Sequence, residues 1–112
     1  MEYEPDKWLG VKIGNDHSPP HYRIFASWYG GYLGGDSWKL NSGITNVTLK
    51  DDIYSFEGSS GSVYLCHKNN YGASGYGSGV LKGMIEGMAE NGIIIEILPE
   101  DTDWLSLDYN EH

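Results

Sequence analysis

The chain has 112 residues, of which 7 are Lys or Arg and 16 are Asp or Glu, giving a formal net charge of −9 with neutral histidines. Hydrophobic residues make up 39% of the chain and aromatic residues 13%, too much for an intrinsically disordered protein. No apolar run approaches the roughly 18 residues of a membrane span, and the acidic start does not match a signal peptide. The single cysteine fits a reducing compartment. We therefore predict one folded domain over residues 1–112, cytoplasmic and without membrane contact.

Alternating apolar residues predict a first strand over residues 8–13, with Leu9, Val11 and Ile13 on one face. Residues 14–20 are predicted to form a loop, since they are rich in turn formers and contain two prolines that cannot donate to a sheet. Residues 22–29 predict a second strand with aromatic side chains on both faces. Such a strand is expected at the centre of the sheet.

Two glycine pairs, at 30–31 and 34–35, predict a connection to a third strand that begins at Ser37. Residues 45–50, 53–57 and 62–67 alternate again and are separated by polar turns. This part of the chain is predicted to form an antiparallel meander.

Residues 69–79 are glycine-rich and predict a long loop. Apolar residues then recur at helical spacing, at Leu81, Met84, Ile85 and Met88, and predict a helix over residues 79–91 with these side chains facing inward and Ser78 as its N-cap. Residues 93–98 are almost entirely apolar and predict a strand buried inside the sheet. The predicted class is therefore α+β: a twisted, mainly antiparallel sheet of five or six strands with the helix packed on one face.

Most of the negative charge is C-terminal, because residues 83–112 hold eight acidic and no basic residues. Such a surface repels nucleic-acid phosphates and anionic lipids and attracts basic proteins. The acidic segment 99–112 also holds aromatic residues, which would anchor a partner that the charge has steered. The predicted partner-binding residues are Glu86, Glu90, Glu96, Glu100, Asp101, Asp103, Trp104, Asp108 and Tyr109. Two alternatives stay open: an acidic face that only maintains solubility, and a segment that folds back onto the core.

A weaker pattern suggests a small-molecule site. Residues 72–79 follow a strand and open a helix, where free backbone N–H groups and the helix dipole favour a phosphate group. The run matches neither standard phosphate-binding motif, because Val80 stands where the last glycine would be. The candidate ligand-binding residues are Tyr29, Tyr32, Trp38, Gly75, Gly77 and Ser78.

Catalytic and metal-binding patterns are weak in this sequence. There is no nucleophile elbow, and the carboxylate pair Asp51-Asp52 lies at a predicted turn. His17 and His21 are separated by two prolines, which excludes the helical spacing of a zinc pair and leaves a loop site as a minor alternative. We therefore predict no catalysis, no cofactor and no metal.

The runs Trp28 to Ile44 and Gly58 to Tyr64 resemble small uncharacterised proteins encoded by bacteriophages and prophages. The resemblance covers about residues 20–72 and assigns no functional residue. Small acidic phage proteins resemble inhibitors of host defence, including anti-CRISPR proteins, which occlude basic nucleic-acid-binding surfaces.

The resemblance and the charge distribution lead to one functional expectation. We expect a non-catalytic phage protein that docks its acidic C-terminal surface on a basic surface of a host defence protein, in the cytoplasm of the bacterial host, without binding nucleic acid directly. The alternative is a protein that sequesters a small molecule, such as a nucleotide signal, with the glycine-rich loop 72–79.

Overall fold

The computed structural model describes residues 1–30 and 34–109. Within these ranges the chain forms eight strands, one α-helix and a 3-10 turn at Lys68–Asn70. The helix α1 is Gly75–Ala89. The strands are β1 (Glu2–Tyr3), β2 (Lys7–Asn15), β3 (Ser18–Trp28), β4 (Ser37–Leu40), β5 (Ile44–Lys50), β6 (Ile53–Gly58), β7 (Val63–His67) and β8 (Ile94–Ile97). No helix in the described part is long and apolar enough to cross a membrane.

The strands form two four-stranded sheets, ordered β1-β7-β6-β5 and β4-β3-β2-β8. The pair β1·β7 is parallel, and the other pairs are antiparallel. The predicted α+β class and the antiparallel meander β5-β6-β7 are confirmed, but the single sheet of five or six strands is wrong. The physical reason lies in β3. Both faces of this strand are apolar and must be covered, and because one helix covers only one face, a second sheet covers the other.

The larger core lies between the two sheets. Trp8, Ile24 and Ala26 of the β2-β3 hairpin face Phe56 and Tyr64 of the meander, and all five are buried. The indole N–H of Trp8 donates to the carbonyl of His67, 2.7 Å away. The ring of Trp8 is buried in the core and its N–H has an acceptor on β7. Trp8 therefore links the two sheets.

A smaller core lies between the sheet β4-β3-β2-β8 and the helix. Leu9, Val11 and Phe25 pack there against Leu81 of α1 and Ile95 of β8. The predicted inward face of β2 is therefore confirmed for Leu9 and Val11. The molecule consequently has three layers, helix, sheet and sheet.

The helix begins earlier than the sequence predicted. Ser74, and not Ser78, is the N-cap, and its side chain accepts a hydrogen bond from Gly77 N at 2.9 Å. The first turn of α1 therefore takes up residues that were predicted to be loop. A cap supplies a hydrogen-bond acceptor for N–H groups that have no partner in the first turn of a helix. This stabilisation offsets the low helix propensity of the glycines.

The hairpin β2-β3 is also longer than predicted. Both strands extend into the expected loop, and Asn15 Oδ1 accepts from the backbone N–H groups of His17 and Ser18 at 2.8 and 2.9 Å. Pro19 and Pro20 are tolerated because β4 pairs with β3 only from Phe25 onward.

Candidate binding surface

The strand β8 lies at an edge of its sheet, not inside it as predicted. It pairs with β2 from Val11↔Ile97 to Gly14↔Ile94, and among the described residues no strand pairs with its other side. Ile95 is buried, whereas Ile94 is 61% exposed and Ile97 is 45% exposed. The outer N–H and C=O groups of β8 are therefore available beside two exposed isoleucines.

An apolar groove of about 310 Å³ runs between β8 and the helix. Leu81 and Ile85 of α1 and Ile97 of β8 line it, and Glu86 and Lys82 border it. The predicted inward face of the helix is thus only partly covered: Leu81 is buried, Ile85 is half-buried and Met88 is exposed.

Three of the predicted partner-binding carboxylates surround this edge. Glu86 is exposed on α1, which packs against β8, and Glu90 is exposed at the C-cap that follows the helix. Glu96 is exposed on β8 and stands opposite Lys12 of β2. We define the acidic edge as Glu86, Glu90, Ile94, Glu96 and Ile97.

The acidic segment after β8 is divided between surface and core. Glu100, Asp101, Asp103 and Asp108 are exposed, and Asp103 Oδ2 accepts from the Ser106 hydroxyl at 2.7 Å. Glu100 borders a separate cleft of about 240 Å³ between the sheets. Glu100 therefore lies on a different part of the surface from the groove between β8 and α1.

Trp104 and Tyr109 lie inward, as the fold-back alternative predicts. Trp104 is 1% exposed and packs on Trp8 with ring centroids 5.4 Å apart. Tyr109 is half-buried, and its hydroxyl donates to the carbonyl of Trp104 at 2.5 Å. These rings fasten the C-terminal segment to the core, and within this segment Leu105 is the large apolar side chain that is exposed, at 52%.

The candidate ligand-binding residues do not form one site. Gly77 is buried, and a Cβ there would lie 3.2 Å from Ser27 Cβ and 3.4 Å from Phe25, so this glycine permits close packing of α1 on β3. Its N–H is taken by the Ser74 cap. Trp38 is partly exposed and stacks on Phe25, with centroids 5.6 Å apart.

The remaining candidates are on the surface. Gly75 and Ser78 are exposed in the first turn of α1, and Tyr29 is exposed at the end of β3. Tyr32 lies outside the described residues. With Gly77 buried and its N–H occupied, the described residues do not bring these groups together as a phosphate cradle.

The residues that sequence reasoning missed are Ile94 and Ile97. Five isoleucines and leucines within residues 93–98 are typical of a strand covered on both sides. Glu96 in their middle was the available signal, because a carboxylate is rarely buried without a partner. It indicates that one face of this strand reaches solvent.

Two other groups bear on chemistry. Cys66 is fully buried, and burial raises the pKa of its thiol, which keeps it protonated and unreactive. Within residues 1–30 and 34–109, no three His, Cys, Asp or Glu side chains come together as metal ligands. No protein-family model, curated protein or solved structure matches the chain.

Proposed function

We propose that this is a non-catalytic binding protein that docks its acidic edge on a basic surface of another protein. The observation that carries the proposal is the outer side of β8, which pairs with no strand of residues 1–30 or 34–109 and where Ile94 and Ile97 are exposed next to Glu96. Natural sheets usually protect such an edge with short length, charge or a covering segment.

The geometry favours a partner that supplies an extended segment. Main-chain groups on the outer side of β8 can bond to an added strand, and the groove beside α1 can receive its apolar side chains. Ile85 and Ile97 would supply the apolar contact there. The affinity would then come from backbone pairing and burial, with the carboxylates contributing orientation.

The charge of this region specifies the chemistry of the partner. Residues 83–109 carry seven carboxylates and no basic residue, and Lys12 and Lys82 border the acidic edge. A lysine- or arginine-rich surface would be attracted, and nucleic acid would be repelled. Together with the resemblance to phage proteins, this favours a host defence protein whose nucleic-acid-binding surface becomes occluded.

The test is affinity capture from bacterial lysate, followed by binding measurements with the purified captured protein. One variant carries Glu86→Lys, Glu90→Lys and Glu96→Lys. Its matched control carries the same charge change at exposed positions elsewhere, Glu2→Lys, Asp16→Lys and Glu57→Lys.

We expect the first variant to lose the partner and the control to keep it. We also expect nucleic acid to compete with the wild-type protein for that partner, and the association rate to fall with added salt. Equal loss of partner binding in both variants would show that binding depends only on the net charge of the protein and not on the acidic edge. A captured partner that binds nucleic acid and this protein simultaneously would rule out occlusion.

A further inference from the structure

An apolar cleft of about 240 Å³ lies between the C-terminal half of α1 and the sheet β4-β3-β2-β8. Met84 and Met88 of the helix line one side, and the other side is lined by Ile13 of β2, Leu40 of β4 and Ile95 of β8. None of its lining residues lines the groove of about 310 Å³ at the acidic edge. We call this separate site the methionine cleft.

The methionine cleft is a part of the smaller core that the protein leaves unfilled. Leu81 is 2% exposed, but Met84, one turn further along the helix, is half-buried, and Met88, on the next turn, is 40% exposed. These three residues share the inner face of α1, because they follow one another at helical spacing. An unbranched methionine side chain adapts to irregular shapes, so the cleft can close around a flexible apolar group.

Arg23 brings a positive charge to this apolar site. It lies on the same face of β3 as Phe25, which packs against the helix, because residues two positions apart in a strand point to the same side. It lines the cleft together with Met84 and Met88. The guanidinium therefore belongs to the layer between the sheet and the helix.

Arg23 has no anionic partner in residues 1–30 and 34–109. No ion pair joins it to these residues, and its Nε is buried without a hydrogen-bond acceptor among them. The residue as a whole is half-buried. Because a buried charged donor without an acceptor is costly, this position favours an anionic ligand.

The rest of the cleft wall specifies the remainder of that ligand. In the described part of the chain no carboxylate lines the cleft, so an anion meets no like charge there. His21, which precedes Arg23 by two residues on the same strand face, is the other polar lining residue. All other lining side chains are Ile, Leu or Met, which favour an apolar chain attached to the anionic group.

We propose that the methionine cleft binds an unbranched aliphatic carboxylate, a fatty acid of medium chain length. The carboxylate accepts hydrogen bonds from Nε and a terminal nitrogen of Arg23, whose planar donors match its two oxygens. The alkyl chain packs between Met84 and Met88 of the helix and the isoleucines of the sheet. The cleft is smaller than the roughly 300–1,000 Å³ of pockets for drug-sized ligands, which limits the length of the chain.

Isothermal titration calorimetry at constant ionic strength tests the proposal with four probes: butanoate, hexanoate, octanoate and 1-octanol. We expect one octanoate to bind per chain. Its Kd should rise about fifteenfold for each two carbons removed, because each buried CH₂ group contributes about fourfold to the affinity. 1-Octanol has the same chain length without the charge and should bind at least about tenfold more weakly than octanoate.

Arg23→Gln should weaken octanoate binding at least about tenfold and leave the affinity for 1-octanol unchanged, because it removes the charge and keeps the apolar wall. Met88→Glu, which places a carboxylate at the exposed end of the cleft, should also weaken octanoate binding. Its matched control, Tyr76→Glu, adds the same charge at an exposed position of α1 outside the cleft and should bind octanoate like the wild-type protein.

Because Met88 and Tyr76 are both exposed, this second pair of variants decides the matter if Arg23→Gln fails to fold. The proposal is overturned if octanoate does not bind, if 1-octanol binds as tightly as octanoate, or if Kd is independent of chain length. It is equally overturned if octanoate binding survives Arg23→Gln, or if Met88→Glu and Tyr76→Glu bind octanoate alike.

Discussion

The indole of Trp104 occupies the space that a side chain at Gly10 would need. A Cβ built on Gly10 would overlap the Cη2 and Cζ3 atoms of that ring. The amide N–H of Gly10 donates to the Tyr71 hydroxyl at 3.2 Å, and its carbonyl accepts from Leu98 N at 2.9 Å. Because Gly10 of β2 has no side chain, Trp104, in the segment after β8, can pack between the two sheets.

Gly10→Ala should consequently destabilise the protein by about 1–3 kcal/mol, the range for overpacking of a core. Trp104→Ala should cost about 3–5 kcal/mol through the cavity it leaves. In the Trp104→Ala background the cost of Gly10→Ala should largely disappear, because the overlapping ring is gone. Urea unfolding of the two single variants and the double variant measures this coupling, and additive costs would show that the two residues act independently.

The glycines of α1 should differ in their response to a methyl group. Gly83 and Gly87 have open space where a Cβ would stand, so alanine there should stabilise the protein by about 0.5–1 kcal/mol. Gly77→Val should destabilise it instead, because Ser27 and Phe25 leave no room for the larger side chain. Thermal unfolding separates the two outcomes, and a stabilising valine at position 77 would contradict the close packing of α1 on β3.

The helix should depend on burial of its inner face. Leu81 is 2% exposed and packs with Leu9 and Phe25, so Leu81→Ala should cost about 2–5 kcal/mol. Glu86→Ala, on the exposed side of the same helix, should change stability by less than about 1 kcal/mol. Denaturant unfolding gives both values, and similar losses would mean that the helix faces are assigned wrongly.

Stability should decrease at alkaline pH. Burial raises the pKa of the Cys66 thiol and of the Tyr64, Tyr71 and Tyr109 hydroxyls above their ordinary values of 9.0 and 10.0. The unfolded chain then loses these protons at lower pH than the folded chain, so the free energy of unfolding falls as pH rises through these ordinary values. Below about pH 8 these groups are neutral in both states and add no slope.

Cys66→Ala provides the control for this pH dependence. It removes one of the four groups, so its stability should fall less steeply between about pH 9 and 11 than that of the wild-type protein, whatever the cavity costs at neutral pH. Chemical denaturation across this range measures the slope. An unchanged slope would mean that the thiol ionises equally in both states.

The sequence by itself determined the local elements. Alternation of apolar residues identified the hairpin and the meander, and helical spacing identified the inward face at Leu81. The segregation of charge into residues 83–112 is likewise a property of the sequence alone. The strands and the helix could be predicted because side chains repeat every two residues in a strand and every 3.6 in a helix, and neighbouring residues alone specify these periods.

Only the tertiary structure decided which strands share a sheet. Residues 93–98 would be equally apolar in a central strand, but the partners of β8 come from residues eighty or more positions away. The burial of Trp104 depends on the missing side chain of Gly10. Such arrangements result from packing between distant segments, and no local pattern of residues encodes them.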